Sequence, residues 1–156
     1  MNELIFTLLL WGLPMGIANM APVILPGRRP IDFGKTWRGK RIFGKNKTWG
    51  GFIGGTVLGT ITGFFLGNVY LGLAVSAGAL LGDIFESFIK RRVGIPSGQQ
   101  WLVFDQIDFV IGALILGSFV QPIAIKPMII LLIGMPILHP VANYLGYLLK
   151  LKKNKF

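Results

Sequence analysis

The sequence predicts an all-α integral membrane protein of one domain, and three observations carry that prediction. Apolar residues make up 53% of the 156-residue chain, and its mean hydropathy is +0.65. They come in long runs rather than at amphipathic spacing, the pattern of segments that lie in lipid. Charge is confined to short stretches between those runs. Cys is absent, which excludes disulfides and cysteine-rich metal sites. A net charge of +10 would suggest nucleic acid as the partner of a soluble protein. With the bases in loops between apolar runs, it points to anionic lipid or phosphate ligands and away from nucleic acid.

The first apolar run predicts a helix over about 4–25, kinked near Pro14. The residues before it carry no Lys or Arg and the run is too long for an h-region, so it does not read as a signal peptide. Residues 26–48 hold eight Lys/Arg with Gly, Pro and aromatic residues between them and show no period. They read as a loop with one short interfacial helix. From Trp49 to Leu81 there is no charge at all. As one helix, 49–90 would span roughly 60 Å, about twice a hydrocarbon core, so the chain must turn back. Gly67-Asn68 is the best turn signal and predicts helices at about 49–67 and 69–90. The first has glycine at every fourth position from Gly51 to Gly67, and the second continues with Ala74, Gly78 and Gly82. Such stripes let membrane helices approach closely, within a chain or in a homodimer. Two more helices are expected, at about 101–121 and 128–149, the last interrupted by Pro136, His139 and Pro140.

Five spans place fifteen of the sixteen bases on one side, with only Lys126 opposite. The positive-inside rule then makes that side cytoplasmic and puts the N-terminus outside. The same topology brings five of the six acids to the cytoplasmic face. Four of these form two pairs, Asp83/Glu86 and Asp105/Asp108. Each pair is spaced i, i+3, so its carboxylates share one helix face.

Carboxylates are costly beside apolar runs, so a compensating partner is required. Asp83 and Glu86 lie near a helix C-terminus, where the dipole disfavours them, and the bland reading pairs them with Lys90 or Arg91. Asp105 and Asp108 lie near a helix N-terminus, where capping and dipole complementation alone would explain them. Four carboxylates at one depth make a divalent-cation site the sharper reading, and hard oxygen donors favour Mg²⁺ or Mn²⁺ over zinc. Positive-inside topology alone could explain the basic loop. Its run Lys45-Asn46-Lys47-Thr48 leads directly into a glycine-rich helix start, however, and such a terminus can hold phosphate. Acids for a metal beside bases for phosphate suggest phosphoryl or nucleotidyl transfer at the membrane surface. His139, Asn19 and Asn143 read as groups that satisfy carbonyls freed by the prolines.

Ser87-x3-Arg91, Pro96-x-Gly98 and Asp105-Gln-Ile-Asp108 together resemble the signature of the CTP:phosphatidate cytidylyltransferases, most closely the archaeal branch. The likeness extends over nearly the whole chain, including Asp32-Phe-Gly-Lys35 and the run from Arg41 to Gly51. Gly94-Ile95 and Gln106 depart from the bacterial and eukaryotic pattern. The resemblance implies transfer of CMP from CTP to an isoprenoid ether lipid phosphate. It implies that Asp83, Glu86, Asp105 and Asp108 hold Mg²⁺, with Asp105, Asp108 and Arg91 catalytic. Nucleotide and phosphate contacts would come from Asp32, Lys35, Arg41, Lys45, Asn46, Lys47, Thr48, Ser87 and Arg92, with Asp32 on cytosine or ribose. The rival reading is a small ion-coupled transporter, to which intramembrane acids and proline-broken helices are equally suited.

Overall fold

The computed structural model describes residues 2–101 and 103–148, apart from the side chains at 139, 142, 143 and 145–148. Five helices account for most of it: α1 (Glu3–Ile24), α2 (Trp49–Phe65), α3 (Val69–Val93), α4 (Phe104–Val120) and α5 (Ile125–Leu148). Between α1 and α2 the basic loop folds as a small antiparallel ribbon, β1 (Thr36–Trp37) and β2 (Lys40–Arg41). The expected interfacial helix is therefore replaced by a hairpin. The loop's glycines sit at positive φ (Gly34, Gly39 and Gly44), which supplies turns rather than a helix.

α1 runs through Pro14 and Pro22 without a break in assignment. α5 likewise continues past Pro136 and Pro140, so the predicted interruption is not seen. Proline is tolerated in such helices because neighbours re-satisfy the freed backbone groups; Ser76 Oγ on α3 separately donates to Pro14 O at 3.4 Å, tying α3 to α1. The side chains of His139 and Asn143, and the basic tail from Lys150, lie outside the described residues. α3 ends at Val93 rather than near 90, which takes Arg91 and Arg92 into its last turn. Cations there complement the carbonyl end of the helix dipole, and Gly94 closes the helix at φ +91°.

The turn at 66–68 forms where it was predicted. Gly67 adopts φ +90°, and Asn68 caps α3 by accepting from Leu71 N–H. At the same end Asn68 donates to Gln121 at the close of α4. At the other end Thr48 Oγ1 caps α2. The four helices α1–α4 thus pass up and down, with the ribbon and the 94–101 loop together at one end.

α3 is central, packing on α1, α2 and α4, while α5 touches only α1 and α4 among the helices. Gly51, Gly55, Gly59 and Gly63 of α2 are all buried within the chain, against α1 and α3. That stripe is spent on the fold and is not left for a second copy. Gly78 and Gly82 face α4 instead, and a Cβ on Gly82 would collide with the carbonyl of Asp108. The core gathers Trp11, Met15, Leu71, Val75, Phe109 and Val110. Large apolar side chains are more common on the outside, with Phe119 84% and Phe65 80% exposed. An outer surface of that kind suits lipid, not water. α1 and α3 are each long and apolar enough to cross a membrane.

Candidate active site

Where the ribbon end of the bundle meets the helices, a cavity of about 580 Å³ opens. α3 contributes Asp83, Glu86, Ser87, Lys90 and Arg91; α4 contributes Asp105 and Gln106. The basic loop adds Phe43, Asn46 and Lys47, the 94–101 loop adds Ser97 to Gln100, and α1 adds Asn19, Pro22 and Val23. The two loops touch closely. Gly44, at φ +107°, is backed by Ser97, whose Oγ would lie 2.8 Å from a Cβ there.

Two lysines organise the carboxylates. Lys47 reaches in from the loop and donates to both oxygens of Asp83 at 2.5 and 2.6 Å. Burial works against its charge, but the Asp83 carboxylate overrides this and holds the ammonium pKa above the ordinary lysine value. Lys90 donates to both oxygens of Asp105 at 2.7 and 3.0 Å. It also stands 3.5 Å from Glu86 Oε1, an ion-pair distance without hydrogen-bond geometry. Asp105 accepts a further bond from Trp101 N–H at 2.8 Å, pinning the chain just before α4.

Among the described residues five side chains keep buried polar atoms unspent, two of them being Trp11 through Nε1 in the core and Arg92 through Nε beside the ribbon. Arg91 is only 6% exposed, yet its Nε and Nη1 have no partner. Glu86 Oε1 and Asp108 Oδ2 are buried acceptors without a hydrogen bond. Buried polar groups left unsatisfied cost about 1–3 kcal/mol each, more when charged, so their accumulation at one place marks a site that a ligand completes.

The nine side chains expected on the nucleotide and phosphates divide into two groups. Lys47, Asn46 and Ser87 line the cavity. The others do not. Asp32 is buried and accepts from Arg41 Nε and Nη2 and from the backbone N–H groups of Gly34, Phe43 and Gly44. Burial pushes its pKa up, but Arg41 and those amides prevail and hold it well below the usual carboxylate range. No lone pair is left for a base or ribose, so Asp32 and Arg41 build the loop. Arg92 donates to the carbonyls of Trp37, Lys40 and Arg41 and lies 5.1 Å over the Trp37 ring, clamping the ribbon to α3. Thr48 is a helix cap, and Lys35 and Lys45 are exposed outside the cavity lining.

The four expected metal ligands lie at this end of the bundle but do not converge. Among the described residues, no three acidic or His side chains come together as a metal cage. Asp83 faces Lys47, Glu86 and Asp105 share Lys90, and Asp108 is not among the residues that line the cavity. The donor chemistry nonetheless suits a hard cation, because every candidate is a carboxylate oxygen and two of those oxygens are unspent.

Sequence reasoning offered Lys90 as a partner of Asp83 and Glu86 but did not foresee its two bonds to Asp105 across the helix pair. It also passed over Asn19. A lone amide within an apolar run is itself a signal.

The sequence matches the family described as CarS-like: CDP-archaeol synthase, over residues 1–70 and 63–156. The chain belongs to the CDP-archaeol synthase family. Among its relatives, the CDP-archaeol synthase of Pyrococcus furiosus is 44% identical, covering 90% of this chain and 91% of its own. That of Pyrobaculum islandicum is 39% identical, with 98% of each chain covered. A solved structure described as an intramembrane enzyme for archaeal membrane lipids biosynthesis aligns with a TM-score of 0.76 at 34% identity, over 86% of this chain and 91% of the other. These likenesses agree with the apolar outer surface: this member of the family is a membrane protein. They carry the cytidylyltransferase reading and not the transporter reading.

Proposed function

We propose that this CDP-archaeol synthase family member transfers CMP from CTP to the phosphate of an isoprenoid glycerol ether lipid, giving CDP-archaeol and pyrophosphate. The observation that carries this is the buried Arg91, with two unpartnered guanidinium nitrogens in a cavity that also holds Lys47 and Lys90. A planar fork of donors in a water-poor site is suited to phosphate oxygens.

In the reaction an oxygen of the lipid phosphate attacks the α-phosphorus of CTP. The new O–P bond forms as the bond to the β-phosphate oxygen breaks, and pyrophosphate carries away the electron pair. The attacking oxygen is already anionic, so no general base is needed. Arg91, Lys47 and Lys90 hold phosphate oxygens and offset their charge, while Ser87 and Asn46 supply neutral hydrogen bonds. Asp83, Glu86, Asp105 and Asp108 would hold Mg²⁺ or Mn²⁺, which supplies charge neutralisation on the phosphates when bound.

All five helices act as spans in this reading, with the N-terminus outside. The cavity then faces the cytoplasm, beside the basic ribbon. Purified protein incubated with labelled CTP, Mg²⁺ and an ether lipid phosphate is expected to yield labelled lipid and pyrophosphate in equal amounts. Product of neither kind, with ether or ester lipid phosphates alike, would overturn the proposal.

A further inference from the structure

The polar cavity has a neighbour on its α1 side. Asn19 also lines a second space of about 390 Å³ between α1 and α5. That space is apolar, walled by side chains such as Leu13, Ile17, Ile130 and Leu138, and among the described residues Asn19 is the one polar side chain in its lining. The same two helices continue into the polar cavity through Pro22, Val23 and Pro140. Two adjoining spaces, one charged and one hydrocarbon-like, therefore lie along a single pair of helices. From Leu8 to Met20 the apolar space extends about 18 Å at 1.5 Å per helical residue. Gly12, Gly16 and Gly134 line it without side chains. At Gly134 an added Cβ would meet nothing within 4 Å, so this position faces open space.

A lipid phosphate poses a problem that this shape answers. Its headgroup must leave the membrane surface for a charged cavity while its chains stay out of water. We propose that the groove between α1 and α5 holds one hydrocarbon chain of the lipid-phosphate substrate, with Asn19 where chain meets headgroup and Gly134 setting the groove's width. This rests on the CMP-transfer reading above. The occupant is argued from adjacency: a crevice for bulk lipid, or for a helix of a second copy, has no need to share Asn19 and the α1–α5 pair with the phosphate cavity.

The test compares Gly134→Leu with the unsubstituted chain on two acceptors, a long-chain isoprenoid lipid phosphate and a short-chain, water-soluble glycerol phosphate analogue. Leucine is favoured over glycine in a helix, and its side chain enters the groove. For the long-chain acceptor kcat/KM is expected to fall at least about ten-fold, a loss of roughly 1.4 kcal/mol of binding, chiefly through KM. For the short-chain acceptor it should stay within about two-fold. Equal behaviour on both acceptors overturns the groove assignment and leaves CMP transfer intact. Failure of the unsubstituted chain on both overturns the underlying reading instead.

Should the variant lose all activity through misfolding, a second measurement on the unsubstituted chain decides. A lipid phosphate with a photoreactive group at its chain end should crosslink to Leu13, Ile17 or Ile130. Excess unlabelled lipid phosphate should suppress the crosslink, and an uncharged lipid of the same chains should not. Crosslinks elsewhere, or equal suppression by both competitors, would overturn the proposal.

Discussion

Arg91 and Arg92 are neighbours of the same type with different work. Arg92 spends Nη1 and Nη2 on three ribbon carbonyls and leaves only Nε unpaired, whereas Arg91 keeps both Nε and Nη1 unpaired. Arg91→Lys should retain the fold and lose the fork. One lost charge-assisted hydrogen bond, at about 1.5–3 kcal/mol, lowers kcat/KM for CMP transfer by about 10–100-fold. Steady-state kinetics with purified protein would check this, and an unchanged value would remove Arg91 from the phosphate site. Asp32→Asn should act differently. It strips charge from a carboxylate that closes the basic loop, at a cost of about 1–3 kcal/mol, read as a lower thermal midpoint and faster proteolysis within 26–48. Because Asp32 has a folded pKa below its unfolded value of about 3.9, its contribution is fully present above that value. It is lost only as pH falls through the lower folded value, so the wild-type loop should resist proteolysis at pH 5 as at pH 7. Loosening between those values would show that Asp32 does not hold the loop.

The elements were legible where a physical constraint forced them. A charge-free stretch too long for one span had to turn, and Gly67-Asn68 supplied the turn. The ribbon was not legible, because two-residue strands carry no period and its stability comes from partners distant in sequence, Asp32 and Arg92. The acid pairs were visible as spacing, and so was Lys90 beside Glu86, but the pairings between elements were not: Lys47 crosses from the loop to α3, and Lys90 crosses from α3 to α4. Asp32, Arg41, Arg92 and Thr48 make contacts within the loop, to the ribbon or at a helix cap and do not line the cavity, since a residue near others that reach the cavity in sequence can be facing its own loop. The α3–α4 contact offers an element-scale test. A methyl on Gly82 would strike the carbonyl of Asp108 and push α4 away, costing about 1–3 kcal/mol in overpacking. Gly82→Ala should therefore lower both thermal stability and CMP transfer, by moving Asp105 and Asp108 relative to Glu86. Full activity would mean that the register of these helices does not set the site.

For the molecule as a whole, the absence of Cys makes sidedness directly measurable. Arg38→Cys in the ribbon should label with an impermeant thiol reagent only from the cytoplasmic side, and Gln121→Cys only from outside. The reverse pattern would invert the proposed orientation. Chelating divalent cations should abolish CMP transfer and added Mg²⁺ should restore it; activity that survives chelation would dismiss the carboxylates as metal ligands.

The distribution of charge has a kinetic consequence. Inside the cavity, Lys47 and Lys90 already face carboxylates, so positive charge is largely offset there. The uncompensated excess sits on the rim, where Lys35, Arg38, Lys40 and Lys45 are exposed. Fields from exposed charges act over about a Debye length, about 8 Å at physiological salt, and weaken as salt is added, while buried pairs are much less screened. The ribbon therefore works as a collector for a polyanionic nucleotide diffusing past the membrane surface, speeding its capture more than tightening its hold.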